Sequence, residues 1–201
     1  NKKATITIKQ LLGTAAFDFP KPVELLERAV LIGTNENDIV LDFFSGSATT
    51  AHAVMSLNSK FKTNRKFICV QLPEQCDEKS EAYKAGYSNI CEIGKERIRR
   101  AGAKLLEESV SAQLQLGEEE KKPLDVGFKV FKLDTSNLKT WDGTPIQDKQ
   151  IDLFYERLNA MIDTVKDDRT DMDVVYEVML KMGIPLDVEV QYMEINDKIA
   201  Y

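Results

Sequence analysis

Asp42-Phe43-Phe44-Ser45-Gly46-Ser47-Ala48-Thr49-Thr50 is the segment of this sequence whose residue types best suit holding a small molecule. Gly46 lets the backbone turn tightly and approach a ligand closely. A helix opening at Thr49 would offer free N–H groups that suit a carboxylate or phosphate. Asp42 would repel a phosphate and is better placed to accept a hydrogen bond from a cationic amine. An anion site beside an anionic side chain matches a zwitterion better than a nucleotide phosphate. On residue types alone the segment reads as a binding loop or as a merely tight turn, because many α/β proteins have a Gly-containing first turn.

Asp38 to Phe44 is a nearly continuous apolar run with β-branched residues, the pattern of a strand buried on both faces. Residues 49–55 read as a helix, and Lys66 to Leu72, closed by Pro73, as a second buried strand. Together they make a β-α-β unit of a parallel sheet, with the loop at the carboxyl end of its first strand, where open α/β sheets bind ligands. Upstream, Thr5-Ile6-Thr7-Ile8 alternates like a short strand. Pro22 suits the first turn of a helix that Gly33 would stop. Downstream the pattern predicts a helix over 88–107 and a charged linker over 115–123. A strand over 126–133 follows, then helices near 148–166 and 171–182. Asp171 is the expected N-cap of the last helix, and a hairpin turning at Asn196-Asp197 ends the chain.

The chain has 201 residues, 43% apolar and 30% charged, with a net charge of −6. Lys and Arg number 20 against 18 Asp and Glu over residues 1–132, and 7 against 15 over residues 133–201. The acidic last third is a poor surface for a phosphate backbone. Three cysteines without metal spacing (Cys69, Cys76, Cys91) point to a reduced, cytoplasmic protein. No apolar run approaches the roughly 20 residues of a membrane span.

The amino-acid end of S-adenosylmethionine is a zwitterion of the kind the loop suits, and Phe43, Phe44, Phe17 and Phe19 would flank its adenine. Residues 38–54 resemble the cofactor-binding motif of DNA amino-methyltransferases. Phe19-Pro20-Lys21-Pro22-Val23-Glu24-Leu25-Leu26 is similar to the motif bordering the methionine end in the same enzymes. Arg65 to Glu74 resembles their second strand, whose tip faces the ribose. Residues 94–100 and 124–141 resemble the modification subunit of type III restriction-modification systems. The motif order is that of the permuted class, in which the catalytic half comes first.

The resemblance implies a partial doubly wound, Rossmann-like sheet over 1–115 and a small α+β region over 124–201 for interaction or dimerisation. It implies S-adenosylmethionine as cofactor, bound by Phe17, Phe19, Lys21, Asp42, Phe43, Phe44, Ser45, Gly46, Ser47, Thr49, Gln71 and Leu72. Asp42 would take the ammonium, and Lys21 or the helix start the carboxylate. Gln71 would take the ribose, and Phe43, Phe44 and Leu72 would border the adenine. The implied reaction is methylation of adenine N6 in double-stranded DNA, with a restriction subunit and a second copy as partners.

Three departures stand out. Ala48 occupies a frequent second Gly, and Gln71 a common acidic residue, with Glu74 as its fallback. The catalytic Asp/Asn/Ser-Pro-Pro-aromatic motif has no counterpart, since Pro-Pro is absent. The catalytic and target-reading segments are therefore expected upstream of Asn1, and the chain alone is expected not to methylate DNA. A rival reading makes it chiefly an interaction module, and a dinucleotide-binding domain is disfavoured by the incomplete Gly-x-Gly-x-x-Gly pattern. His52 reads as structural and Cys69 as a core residue. The Lys95, Arg97, Arg99, Arg100, Lys104 cluster reads as a solvated helix face or a phosphate-tracking one. Trp141 reads as a partner anchor or a satellite core.

Overall fold

The computed structural model describes residues 2–116, 124–146, 150–196 and 198–201. The chain divides into two compact units, Asn1–Phe128 and Lys129–Tyr201. The first is mixed α/β and carries the Gly46 loop.

Its β-α-β unit forms where the apolar runs predict it. Strand β1 (Ile39–Asp42) pairs in parallel with β2 (Lys66–Cys69), in register from Ile39–Lys66 to Asp42–Cys69. Helix α3 (Thr49–Phe61) makes the crossover. Its far end is tied to β2 by Asn58, which donates to the Arg65 carbonyl at 2.8 Å and accepts from the Arg65 amide at 3.0 Å. The strands are shorter than expected and covered on one face only. Val40 and Phe67 pack against Val30, Val54 and Leu57, from α2 (Val23–Gly33) and α3. Leu41 and Ile68, adjacent on the other face, are each 49% exposed. The apolar runs announce a sheet buried on both faces, and this two-stranded sheet has a helix layer on one.

Residues 2–12 form a helix, α1 (Lys2–Leu12), and not the strand their Thr-Ile alternation suggests. Ala4, Ile8 and Leu12 recur every four residues and are buried. Ile8 and Leu12 dock on a cluster containing Ala16, Ala82 and Ile93. Burial at helical spacing outweighs the weak strand preference of two threonines, and Thr7 Oγ1 donates back to the Lys3 carbonyl at 3.0 Å. Ala82 belongs to α4 (Glu81–Lys84), a single turn, and Ile93 to α5 (Ile90–Leu116), the long helix of the unit. No strand forms over 126–133. Val126 and Phe128 do point inward, but onto Met55, Ile98 and Ala101 of α3 and α5. Their alternation reflects packing on helices, not a ladder.

The second unit holds α6 (Ile151–Ala160), shorter than expected, α7 (Asp171–Met182) and an antiparallel pair, β3 (Met193–Ile195) and β4 (Lys198–Ala200). Thr170, one residue before the expected Asp171, is the N-cap of α7. Its hydroxyl accepts from the Asp173 amide while the Asp173 carboxylate accepts from the Thr170 amide. Such a reciprocal box contributes about 1 kcal/mol. Gly183, at φ 71°, stops the helix as its sequence position predicts. Of the linker expected over 115–123, Gln115 and Leu116 instead end α5, which runs past the expected residue 107. Residues 117–123, like Asp197 of the hairpin turn, lie outside the described residues. Among those described, no helix is long and apolar enough to cross a membrane.

Candidate functional site

The loop between β1 and α3 is fixed on every side by the chain around it. Asp42, the last residue of β1, is half-buried. Its carboxylate accepts the Phe44 amide at 3.2 Å and the Thr50 hydroxyl at 2.5 Å. Each oxygen keeps a further lone pair, so the group can still accept from an added cation. The Ser45 amide donates to the Val70 carbonyl at 3.2 Å, and the Val70 amide to the Asp42 carbonyl at 2.8 Å. The parallel pairing is thus carried past the strand ends into the loop.

Gly46 sits at φ 51°. Its amide donates to Gln71 Oε1 at 2.7 Å, and Gln71 Nε2 donates to the Leu72 carbonyl at 3.2 Å. Gln71, expected at a ribose, therefore also anchors the loop, with one lone pair of Oε1 to spare. The Phe17 ring closes over Gly46 so tightly that a Cβ there would stand 3.0 Å from Phe17 Cζ. Phe17 is partly buried against the Ile8–Ile93 cluster.

Ala48 precedes α3 in the left-handed conformation (φ 56°), and no side chain caps the helix. Among the described residues the Thr49 and Thr50 amides are thus without a capping side chain, the arrangement that favours an anion, while the Ala51 amide faces the Cys69 thiol. Ser47 and Thr49 are buried, and their side chains turn inward. Their hydroxyls accept from Arg97 Nη1 at 2.8 and 2.6 Å, and the Ser47 carbonyl accepts from the same nitrogen at 3.4 Å. One turn before Arg97, Gly94 lies under the loop, its Cβ position 3.4 Å from the Gly46 carbonyl oxygen.

The remaining expected residues face solvent. Phe19, Phe43, Phe44, Leu72 and Lys21 are exposed, with Phe44 86% accessible and Phe19 held at φ 53°. The site as seen is a rigid polar turn carrying exposed apolar side chains on its flanks.

Arg97 is the residue that sequence reasoning misassigned. It is 1% exposed, not part of a solvated basic face. Lys95 pairs with Glu92, and Arg99 and Arg100 pair with Glu96, along the outside of α5. Among the described residues no carboxylate pairs with Arg97, and its Nε has no partner. Desolvation lowers its pKa to about 10, which still leaves it charged at neutral pH. The signal was in the periodicity: Ile93, Arg97 and Ala101 recur every four residues on the buried stripe of α5.

His52 is neutral and structural. Burial, and then the charge of Arg97, push its pKa down to about 4. Burial, then Asp42, pushes the Cys69 thiol up to about 11, so it is no nucleophile at neutral pH. In the second unit Trp141 is 47% exposed and lines a shallow cavity of about 210 Å³ with Arg157 and Met161.

Comparison with known proteins adds an independent line. A family model described as DNA methylase matches residues 1–104. The StyLTI Mod subunit of a type III restriction-modification enzyme from Salmonella typhimurium is 37% identical over 142 residues, 71% of this chain and 20% of that protein. The EcoPI Mod subunit of Escherichia phage P1 is 46% identical over 128 residues, 64% of this chain and 18% of that protein. The EcoP15I Mod subunit of Escherichia coli is 40% identical over 132 residues, 65% and 18% of the two chains. The chain thus spans about a fifth of the length of these relatives.

Proposed function

The chain belongs to the DNA methylase family matched over residues 1–104, and from that premise we propose that it captures S-adenosylmethionine for a site-specific DNA adenine-N6 methyltransferase of a type III restriction-modification system. The observation that carries this reading is the β1–α3 turn. It sets a half-buried carboxylate with lone pairs to spare beside a helix start that no side chain caps. That pairing suits the ammonium and carboxylate of an amino acid, and it suits a pyrophosphate poorly. Bound there, the cofactor supplies an electrophilic methyl group on its sulfonium.

The chain's own residues do the holding. Asp42 accepts from the ammonium, and the start of α3 or Lys21 takes the carboxylate. Gln71, through its spare lone pair, meets the ribose, with Glu74 as the fallback. Phe43, Phe44 and Leu72 border the adenine, and Phe17 and Phe19 flank the pocket. Ser45, Gly46, Ser47 and Thr49 build the turn. In this reading β1 and β2 are two strands of a doubly wound sheet. Without a Pro-Pro motif in residues 1–201, base positioning and DNA reading fall to residues other than these, and the chain by itself does not methylate.

A second role, as an interaction module, belongs to the acidic region over 124–201, which would dimerise or dock a restriction subunit. The exposed pair Leu41 and Ile68 favours self-association besides. The two roles are compatible. Calorimetric titration with S-adenosylhomocysteine, with NAD as control, tests the first. Saturable binding of the homocysteine compound alone, lost in Asp42→Ala, is the expected result. Binding of NAD in its place would overturn the proposal.

A further inference from the structure

Arg97 is a buried cation with neutral partners only. Its guanidinium lies under the Ser47–Thr49 turn and grips it through two hydroxyls and one carbonyl. Nε stays without a partner, and among the described residues no carboxylate compensates the charge. A buried charge is unfavourable unless an opposite charge or a set of oriented dipoles answers it. Here the oriented dipoles are the hydroxyls of Ser47 and Thr49. Because each accepts from Arg97, its own O–H is turned away from the guanidinium. The turn is also where α3 begins with no capping side chain on the Thr49 and Thr50 amides.

We propose that Arg97 is a positioning residue for cofactor capture: its buried charge, relayed through Ser47 and Thr49, completes the carboxylate-binding character of the α3 start. This rests on the methyl-donor reading given above and deepens it. The uncapped helix start and the uncompensated guanidinium are independent features, one of the backbone and one of α5, and both favour a negative group at the same turn. The field of Arg97 reaches neighbouring groups, since it helps to keep His52 neutral on the next turn of α3.

The test compares two ligands on the full chain. S-adenosylhomocysteine carries the amino-acid end, and 5′-methylthioadenosine lacks it. Their dissociation constants are measured for the unaltered chain, Arg97→Gln and Arg97→Lys. A charge role predicts that Arg97→Gln weakens S-adenosylhomocysteine about tenfold, well below a contact ion pair because the charge acts through intervening hydroxyls. Binding of 5′-methylthioadenosine should stay within about twofold, and Arg97→Lys should keep most of the preference. Equal weakening of both ligands in either variant would show that Arg97 only holds the loop's shape and would overturn the inference. So would an unchanged preference in Arg97→Gln. Should the glutamine variant fail to fold, the lysine variant decides: a retained preference supports the charge role and an equal loss refutes it. If the unaltered chain binds 5′-methylthioadenosine and S-adenosylhomocysteine equally, the inference fails while the adenosine site stands. If it binds neither, the methyl-donor reading itself fails.

Discussion

Replacing Gly46 by alanine should destabilise the first unit by about 2 kcal/mol, through two separable causes. The first is backbone conformation. Gly46 has φ 51°, and a residue with a Cβ gives up roughly 1–2 kcal/mol in the left-handed region. The second is contact. The new Cβ would stand 3.0 Å from Phe17 Cζ, so the ring must move by several tenths of an ångström. Phe17 packs against the Ile8–Ile93 cluster, and shifting a packed ring costs about 1 kcal/mol. Alanine also restricts the unfolded chain, which returns roughly 0.5 kcal/mol. Urea unfolding followed by far-UV circular dichroism reads the sum. With a slope near 1.5 kcal/mol/M, the midpoint should fall by roughly 1.3 M. A double-mutant cycle separates the causes. In a Phe17→Leu background, which removes Cζ, Gly46→Ala should cost only about 1 kcal/mol, the conformational part. Equal costs in both backgrounds would refute the contact argument, and a cost below about 0.5 kcal/mol in the parent chain would refute the whole account.

Two further outcomes follow from burial. His52 titrates near 6.5 when unfolded but is lowered to about 4 by desolvation and by Arg97. A base whose folded pKa is depressed contributes stability fully above pH 6.5, and that stability is lost as pH falls toward 4. His52→Gln should therefore flatten the pH dependence of unfolding in that window by on the order of 2 kcal/mol, and parallel curves for the two proteins would contradict this. The exposed face carrying Leu41 and Ile68 should drive self-association. In sedimentation velocity the Leu41→Lys, Ile68→Glu double variant should run as a monomer where the parent chain associates, whereas a parent that stays monomeric at high concentration would rule the surface out.

The β1–α3–β2 unit was legible because its signals are local and strong: two apolar β-branched runs, a Gly turn and a closing Pro73. Helix α2 and the Gly183 stop were legible for similar reasons. What was not legible depended on partners far along the chain. Thr5–Ile8 alternates like a strand, and only docking of Ile8 and Leu12 beside Ile93 selects the helix. Val126 and Phe128 alternate equally well, yet they meet helices α3 and α5 and find no strand edge. Thr170 and Asp171 are both good caps, and the β-region backbone at Thr170, with Asp173 reaching back, decides between them. In the loop, residue types pointed to Asp42 and Gly46, and the family resemblance pointed to Gln71 at the tip of the expected second strand. They did not say that Gln71 holds the Gly46 amide or that Ser47 and Thr49 turn inward.

Arg97 shows why a charge run is best read through its helical register. Within Lys95-Glu96-Arg97-Ile98-Arg99-Arg100, composition alone makes five of six residues a solvated face. Rotation by about 100° per residue separates them. Lys95, Glu96, Arg99 and Arg100 fall on one side, where they pair with one another or with Glu92. Arg97 falls with Ile93 and Ala101 on the other, against the turn that opens α3. Lysine and arginine differ at such a position. Guanidinium is less strongly hydrated than ammonium, and its planar fork offers more donors, so it is the cation better suited to burial against several acceptors. A fixed charge answered only by two hydroxyls and a carbonyl leaves a surplus of positive potential at the turn. An anion arriving at the uncapped amides of α3 is the group that would use it.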